Sequence, residues 1–381
     1  MGTKRRAAII AAAAVAQLAL AYRFALAYRV RAGYPRRNAP TITPADLGLP
    51  YESMLISSDG IQLPAWFIPA RDGATGPGVV LVHGWESARD RTLPMASFLH
   101  AAGFHCLTFD VRGNGTNPAE DLPLTAGEFG ADTLAAFRAL IDQPEVTVGA
   151  LVGHSMGAIG AILAAAADPR VGAVVATSSP AGPYRLTRLT FQLARLPIPD
   201  VVAYPLAWLT TRVYLRPRGH VVTAVSATAA IARYAGPVLL AHGEDDGIVP
   251  RSHFDRLAAA ARAGRAGDPI AAPVETLLVT GGEHSWLYED AGYRRAVAGF
   301  LTRALGGPFE AQTAADLAGA IPAQRIPEAE AGFGAVDELP GGLRTLVQVA
   351  LPGATRAPRS DHEAAGIGSI TTVEPLPTIE P

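Results

Sequence analysis

Short apolar runs alternate with longer amphipathic stretches over most of the chain. The runs predicted as strands are Val79–Val82, Phe104–Phe109, Thr147–Val152, Val171–Thr177, Val238–Ala241 and Val274–Val279. The stretches predicted as helices are Thr92–Ala102, Glu128–Ile141, Met156–Ala167, Ser252–Ala263 and Ala291–Ala304. Strands that alternate with helices in this way form a mostly parallel sheet covered by helices on both faces. We therefore predict an α/β protein whose ligand binds beyond the carboxyl ends of the strands.

Three segments depart from this alternation. Tyr51–Ser57 and Ile61–Ile68 flank Ser58-Asp59-Gly60, which predicts a β-hairpin before the alternating region. Residues 178–236 form a long insertion after a strand, predicted as a helical cap above the site or, alternatively, as a peripheral insertion. Residues 306–381 lack Trp, Tyr and Cys and scatter Pro and Gly, so we predict a mostly disordered tail. Gly342–Leu351 is the exception there and could form a strand or a short binding segment.

The amino terminus has the pattern of a membrane segment. Lys4-Arg5-Arg6 precede an uncharged run from Ala7 to Tyr22, and a linker rich in Pro, Arg and Thr follows up to Pro50. We predict that residues 1–37 hold an uncleaved anchor and the start of the linker, with the core domain at 38–305. The alternatives are a soluble helix or a signal peptide cleaved at Ala19-Leu20-Ala21 or Ala25-Leu26-Ala27, which would give a secreted protein.

Composition excludes several classes of function. The chain has 381 residues, 49% of them hydrophobic, and a formal charge of −2, so it can bury a large core and carries no charge excess suited to nucleic acid. Cys106 is the only cysteine, which excludes an intramolecular disulfide and a multi-cysteine metal site.

Gly153-His154-Ser155-Met156-Gly157 lies between a predicted strand and a predicted helix. A G-x-S-x-G turn in this setting holds its serine in a strained conformation at the carboxyl edge of the sheet. A serine hydroxyl needs a base to become nucleophilic, and the base needs a carboxylate to orient it. Ser155 is therefore the predicted nucleophile.

The base and the acid are predicted from turns that follow later strands. His284 stands in Gly281-Gly282-Glu283-His284 after one strand, and His242-Gly243-Glu244-Asp245-Asp246 follows another. Turns that follow parallel strands lie at the same edge of the sheet, so a serine, an acid and a histidine that occur in this order along the chain can meet there. From spacing alone the acid could be Glu244, Asp245 or Asp246.

Attack on a carbonyl also requires N–H groups that stabilise the oxyanion. The amide of Met156, at the start of a helix, is one predicted donor, and the amide of Trp85 in His83-Gly84-Trp85-Glu86 is the other. His83 itself is predicted to be structural.

Together these motifs resemble the α/β-hydrolase superfamily over roughly residues 51–304. Asp110–Gly115 resembles the structural loop of that family, with Asn114 where histidine is frequent. The resemblance implies an α/β-hydrolase fold with a cap, and the register His-Gly-x-x-Asp-x-x-Val-Pro makes Asp246 the acid. Within the superfamily the chain looks most like serine-aminopeptidase, acyl-esterase and lysophospholipase-type enzymes.

The predicted function is a serine hydrolase that cleaves a small-molecule ester, thioester or amide through an acyl-Ser155 intermediate. It needs no cofactor and no metal, because the triad supplies the nucleophile and the proton transfers. The alternatives are a cofactor-free haloperoxidase or perhydrolase, which keeps the same triad, and a non-catalytic binding protein on the same fold.

Overall fold

A single eight-stranded sheet forms the centre of the protein. The computed structural model describes residues 2–71, 74–268 and 270–326, together with positions 344, 347, 351 and 353–355. The strand order is β1-β2-β4-β3-β5-β6-β7-β8, and only the pairs β1–β2 and β2–β4 are antiparallel. The strands are β1 (Glu52–Ser58), β2 (Ile61–Ile68), β3 (Gly76–Val82), β4 (His105–Phe109), β5 (Val146–His154), β6 (Val171–Thr177), β7 (Val238–Gly243) and β8 (Val274–Val279). The predicted mostly parallel sheet is confirmed.

Helices cover both faces of this sheet. The α-helices of the described chain are α1 (Thr3–Ala32), α2 (Leu93–Ala101), α3 (Ala126–Ile141), α4 (Met156–Ala167), α5 (Pro183–Leu193), α6 (Asp200–Leu215), α7 (Ala227–Ile231), α8 (Arg251–Arg265), α9 (Ala291–Leu305) and α10 (Ala311–Ala320). Because side chains alternate along a strand, Val80 and Val82 pack with Phe129 of α3, whereas Val79 and Leu81 pack with Phe98 of α2. The central strands therefore contribute to two cores, as their continuous apolar runs predict.

The predicted hairpin joins β1 to β2. Asp59 and Gly60 both have positive φ, 46° and 83°, and Ser58 pairs with Ile61. Positive φ at both central residues is typical of the type I′ turn, whose twist matches that of the two strands. Asp-Gly at this position is thus the reason that the hairpin closes in this register.

The insertion between β6 and β7 is helical and contacts the amino-terminal helix. It contains α5, α6 and α7. Ala25 and Ala27 of α1 are fully buried, and the hydroxyl group of Tyr28 lies 2.7 Å from Oγ1 of Thr190 on α5. The amino-terminal half of α1 is exposed. The last two turns of α1 are therefore part of the same packed layer as α5 and α6.

The predicted linker after α1 is fixed to the loop that follows β3. The side-chain amide of Asn38 donates to the carbonyl oxygen of Glu86 at 2.6 Å, and the backbone N–H of Thr41 donates to Oδ2 of Asp90 at 2.7 Å. Asp90 is completely buried. These contacts hold the segment against the carboxyl edge of the sheet.

The prediction of disorder is wrong for the first part of the tail, because residues 311–320 form α10. Ala314 and Ala318 are fully buried against α9 and α2, and Ile326 is also buried. The guanidinium group of Arg294 on α9 donates to the carbonyl oxygens of Ala318 and Gly319. Small side chains allow α10 to approach closely, so few large apolar residues are needed. Gly342–Leu351 lies outside the described residues apart from positions 344, 347 and 351.

Candidate active site

Ser155 occupies a sharp turn between β5 and α4. Its φ and ψ are 54° and −117°, a conformation that L-residues rarely adopt. A Cβ atom on Gly153 would lie 2.3 Å from the carbonyl oxygen of Gly157, and one on Gly157 would lie 2.3 Å from that of Val82. Only glycine fits at either position, and the close approach of strand and helix holds Ser155 at the carboxyl edge of the sheet, as predicted.

Asp246 and His284 meet at the same edge. Nδ1 of His284 lies 2.9 Å from Oδ2 of Asp246, and both side chains are at least 93% buried. The other carboxylate oxygen, Oδ1, accepts the backbone N–H groups of Ile248 and Val249 at 2.9 and 2.7 Å. Burial works to raise the pKa of Asp246, but the hydrogen bonds from His284 and Val249 hold it below its ordinary value. The carboxylate is therefore charged and fixed when it orients the imidazole.

The other two acidic residues of this turn lie in a different environment. Glu244 and Asp245 are exposed, and their carboxylates make no hydrogen bond to another described residue. Of the three carboxylates that spacing leaves open, the structure brings Asp246 to His284.

The backbone of His284 is joined to the residue that precedes Ser155. Nε2 of His154 lies 2.8 Å from the carbonyl oxygen of His284, and the two rings are 4.9 Å apart between centroids. Among the described residues the Ser155 hydroxyl has no hydrogen-bond partner. Its link to Nε2 of His284 therefore stays a prediction, and such bonds are often long before substrate binds.

His154 is a site residue that sequence reasoning missed. Burial, with a further contribution from the neighbouring His284, lowers the pKa of His154 to about 4. The ring is thus neutral near pH 7 and can donate its single N–H to the carbonyl oxygen of His284. The only signal in the sequence was the second position of the G-x-S-x-G motif, which the motif itself leaves variable.

The two predicted oxyanion donors lie on either side of Ser155. A Cβ atom on Gly84, next to Trp85, would be 3.4 Å from Cβ of Ser155, so the loop after β3 touches the turn. Within the described chain, no hydrogen bond occupies the backbone N–H of Trp85 or that of Met156. Both groups are available to an oxyanion, and their role stays a prediction.

The loop that carries Trp85 is held by two buried side chains. Oδ1 of Asn114 accepts the backbone N–H of Glu86 at 3.1 Å, and Nε2 of His83 accepts the backbone N–H of Val111 at 3.0 Å. Burial lowers the pKa of His83, which keeps the ring neutral. These contacts fit the structural roles predicted for His83 and for the Asp110–Gly115 loop.

A small apolar space, which we call the cap cavity, lies between this site and the cap. Its volume is about 60 Å³. Trp85, Met156 and Ile159 line one side of it, and α5 and α6 line the other. Tyr28 and Ala32 of α1 complete the wall. The amino-terminal helix is therefore a structural part of the cavity that begins at the two candidate oxyanion donors.

No group of three or more His, Cys, Asp or Glu side chains suited to a metal ion occurs in the described ranges. The Cys106 thiol is buried, which raises its pKa well above the ordinary value and leaves the thiol protonated. A buried, protonated thiol is a poor nucleophile.

Comparisons with known proteins agree with the fold. The chain is 31% identical to an uncharacterized protein of Mycobacterium tuberculosis over 229 residues, which are 60% of this chain and 71% of that protein. It is 30% identical to a polyketide transferase of Stachybotrys chlorohalonatus over 126 residues, 32% of this chain and 41% of that protein. An esterase of Pyrococcus furiosus has a similar structure, with a TM-score of 0.57 at 21% identity over 72% of this chain and 98% of the esterase.

A family profile also matches the chain. Residues 79–300, from β3 to α9, match the profile of the Alpha/beta hydrolase family. This range covers more than half of the chain and includes Ser155, Asp246 and His284. The chain therefore belongs to the α/β-hydrolase family.

Proposed function

We propose that this α/β hydrolase is a serine hydrolase that cleaves a carboxylic ester, thioester or amide through an acyl-Ser155 intermediate. The observation that carries the proposal is the 2.9 Å hydrogen bond between His284 Nδ1 and Asp246 at the edge where Ser155 stands in its strained turn. With Nδ1 donating to the carboxylate, Nε2 of His284 holds the free lone pair that a general base requires.

In the proposed reaction Oγ of Ser155 attacks the carbonyl carbon while its proton passes to Nε2 of His284. The resulting oxyanion accepts hydrogen bonds from the backbone N–H groups of Met156 and Trp85. When the bond to the leaving group breaks, that group takes the proton from His284 and the acyl group stays on Ser155. Water then attacks the acyl carbon, gives its proton to His284, and releases the acid as the proton returns to Ser155. Asp246 stabilises the imidazolium in both halves.

The cap cavity supports a short acyl group as substrate. Its lining is mostly apolar. Its volume of about 60 Å³ is well below that of a cavity that binds benzene, which is about 150 Å³. A peptide side chain with polar groups would find few partners there. We infer a preference for short acyl esters or thioesters over peptides.

The amino-terminal helix supports a membrane location. In the described part of the chain α1 is the one helix long and apolar enough to cross a bilayer, and its most apolar window is only 6% buried, unlike a core helix. We propose that it is retained as an anchor, because Ala25 and Ala27 at the second possible cleavage site are buried in the folded protein and the first site, Ala19-Leu20-Ala21, lies within the same continuous helix. Recovery of the chain with an intact amino terminus from carbonate-washed membranes tests this, and a soluble chain that begins after Ala21 or Ala27 would contradict it.

Replacement of the nucleophile tests the proposed chemistry. Ser155→Ala should lower kcat on a p-nitrophenyl ester by about 10⁶-fold, because the covalent step is lost, and it should abolish labelling by a fluorophosphonate. Ser97→Ala is the matched control, since Ser97 is also buried but its hydroxyl bonds only to the carbonyl oxygen of Leu93 in its own helix. Labelling of the Ser155→Ala protein would show that another residue is the nucleophile.

A further inference from the structure

One face of α6 exposes apolar side chains to solvent. Val201, Tyr204 and Trp208 follow the spacing of one helical face and are 81%, 56% and 52% exposed. We call these three residues the α6 stripe. Contiguous exposed apolar residues of this size mark a contact surface in folded proteins.

Arginine side chains border the α6 stripe. The guanidinium group of Arg212 lies 3.6 Å from the ring centroid of Trp208, and that of Arg188 lies 4.2 Å from the ring centroid of Tyr204. Tryptophan and tyrosine are enriched where a protein crosses the boundary between lipid and water. Arginines beside them can place their aliphatic parts on lipid and their charges among phosphates.

The contacts between α1 and α6 fix the relative position of the two helices. At one end of the α1–α6 contact, the hydroxyl group of Tyr214 lies 3.1 Å from the carbonyl oxygen of Ala32, and both residues are at the carboxyl ends of their helices. Further towards the amino terminus of α1, Phe24 packs on Phe191, close to the turn between α5 and α6, with ring centroids 5.4 Å apart. The two helices therefore run parallel, and because α1 has 30 residues and α6 has 16, the amino-terminal end of α6 lies beside the middle of α1.

The length of α1 sets the depth of this end. At a rise of about 1.5 Å per residue, the segment from Thr3 to Tyr22 spans about 30 Å, the thickness of the hydrocarbon core of a bilayer. Arg23 follows immediately, and Phe24 is in contact with the cap. Because Tyr214 is level with Ala32, the stripe from Val201 to Trp208 is level with about residues 19–26 of α1. If α1 crosses the membrane, the stripe therefore lies at the boundary between lipid and water.

We propose that the α6 stripe rests in the headgroup region of the phospholipid bilayer that α1 crosses, so that α1 and the cap form one membrane-contacting surface. This inference depends on the anchoring proposed above. The occupant is lipid because the stripe lies level with the end of the apolar segment of α1 and because Arg212 and Arg188 border it, Arg188 also pairing with Asp200.

A fluorescent label on the stripe tests the proposal in the full chain. The variant Val201→Cys is labelled with an environment-sensitive fluorophore and reconstituted into vesicles of phosphatidylcholine and phosphatidylglycerol in equal parts. Cys106 is fully buried and does not compete for the label. Ile270→Cys is the matched control, because Ile270 is 90% exposed but precedes β8 at the opposite edge of the sheet from the cap.

The expected result is a blue shift of the label at position 201 and its quenching by nitroxide-bearing lipids, with neither effect at position 270. A label at Tyr204→Cys should behave like that at 201, which covers the case in which one variant does not fold. If the protein floats with the vesicles but the labels at 201 and 204 stay as exposed to water as that at 270, the proposal is overturned. If the protein does not float with the vesicles, the anchoring by α1 fails first and the present inference falls with it.

Discussion

At the scale of single residues, His154 connects the turn of Ser155 to His284, the proposed base. It precedes Ser155 in the chain, and its side chain lies 2.8 Å from the carbonyl oxygen of His284. Because the half-buried ring is neutral, it can make this contact without placing a second positive charge beside a protonated His284. We expect His154 to position the proposed base rather than to transfer protons.

The low pKa of His154 predicts a pH dependence of stability. In the unfolded chain a histidine takes up a proton near its ordinary pKa of about 6.5, whereas in the folded protein His154 takes up its proton only near pH 4. The contribution of His154 to the free energy of unfolding should therefore be fully present above pH 6.5 and be lost as the pH falls towards 4. This contribution amounts to roughly 3 kcal/mol.

Thermal unfolding midpoints of the wild type and of His154→Gln, measured in detergent from pH 7 to pH 4, check this dependence. Glutamine keeps an N–H donor for the His284 carbonyl but has no proton to gain, so its midpoint should fall less with pH. Burial also lowers the pKa of His253 to about 4, so part of the slope should persist in the variant. Equal slopes in the two proteins would argue against this assignment.

How far the site could be predicted differs from residue to residue. Strand ends and glycine-rich turns indicated where Ser155 and His284 lie, since parallel strands bring their carboxyl ends to one edge. The choice of Asp246 over Asp245 came from family resemblance, because three adjacent carboxylates cannot be ranked by spacing. The contact between His154 and the backbone of His284 joins residues 130 positions apart, and no local pattern reports it.

At the scale of elements, strands were the most predictable part of the fold. A short apolar run bounded by turn residues, such as Val171–Thr177, predicts a buried strand, and β6 has the same bounds in the structure. The order in which β3 and β4 lie in the sheet depends on pairing between distant segments, which composition does not encode. Helix α10 was missed because composition measures large apolar residues and ignores how closely alanines allow two helices to approach.

The burial of α10 predicts that the core domain requires it. A chain that ends at residue 305 should be less stable than one that ends at 326. The loss should be at least about 2 kcal/mol, because Ile326 is buried and the longer chain alone retains it. The guanidinium group of Arg294 would also lose two backbone acceptors. Denaturant unfolding of the two chains measures the difference, and equal midpoints would show that α10 adds nothing to stability.

At the scale of the whole molecule, α1 is both a candidate anchor and a wall of the cap cavity. The ring of Tyr28 packs against Phe191 and Tyr214 and its hydroxyl group lies 2.7 Å from Oγ1 of Thr190. The anchor and the cap were each predicted from their own composition, so the sequence did not indicate that they contact each other. The contact is a property of the assembled fold.

This arrangement predicts that Tyr28 limits the length of the acyl group. Tyr28→Ala should raise the ratio of kcat/KM for a p-nitrophenyl octanoate to that for the acetate by roughly tenfold or more, because the cavity gains the volume of the ring. Tyr28→Phe is the control, since it keeps the ring and removes only the hydroxyl contact with Thr190. An unchanged ratio in Tyr28→Ala would place the acyl group elsewhere.

The hydrogen bonds of the Tyr214 hydroxyl bear on how this enzyme is best prepared for assay. That group lies within hydrogen-bond distance of the carbonyl oxygens of both Ala32 and Leu124, to either of which its single proton can be donated, so it links the end of the amino-terminal helix to a residue that lines the cavity. A shortened preparation that starts after this helix would keep Ser155 but lose two residues of the cavity wall and one of these carbonyl acceptors. A substrate survey on such a preparation would therefore describe a wider cavity than that of the chain with the helix.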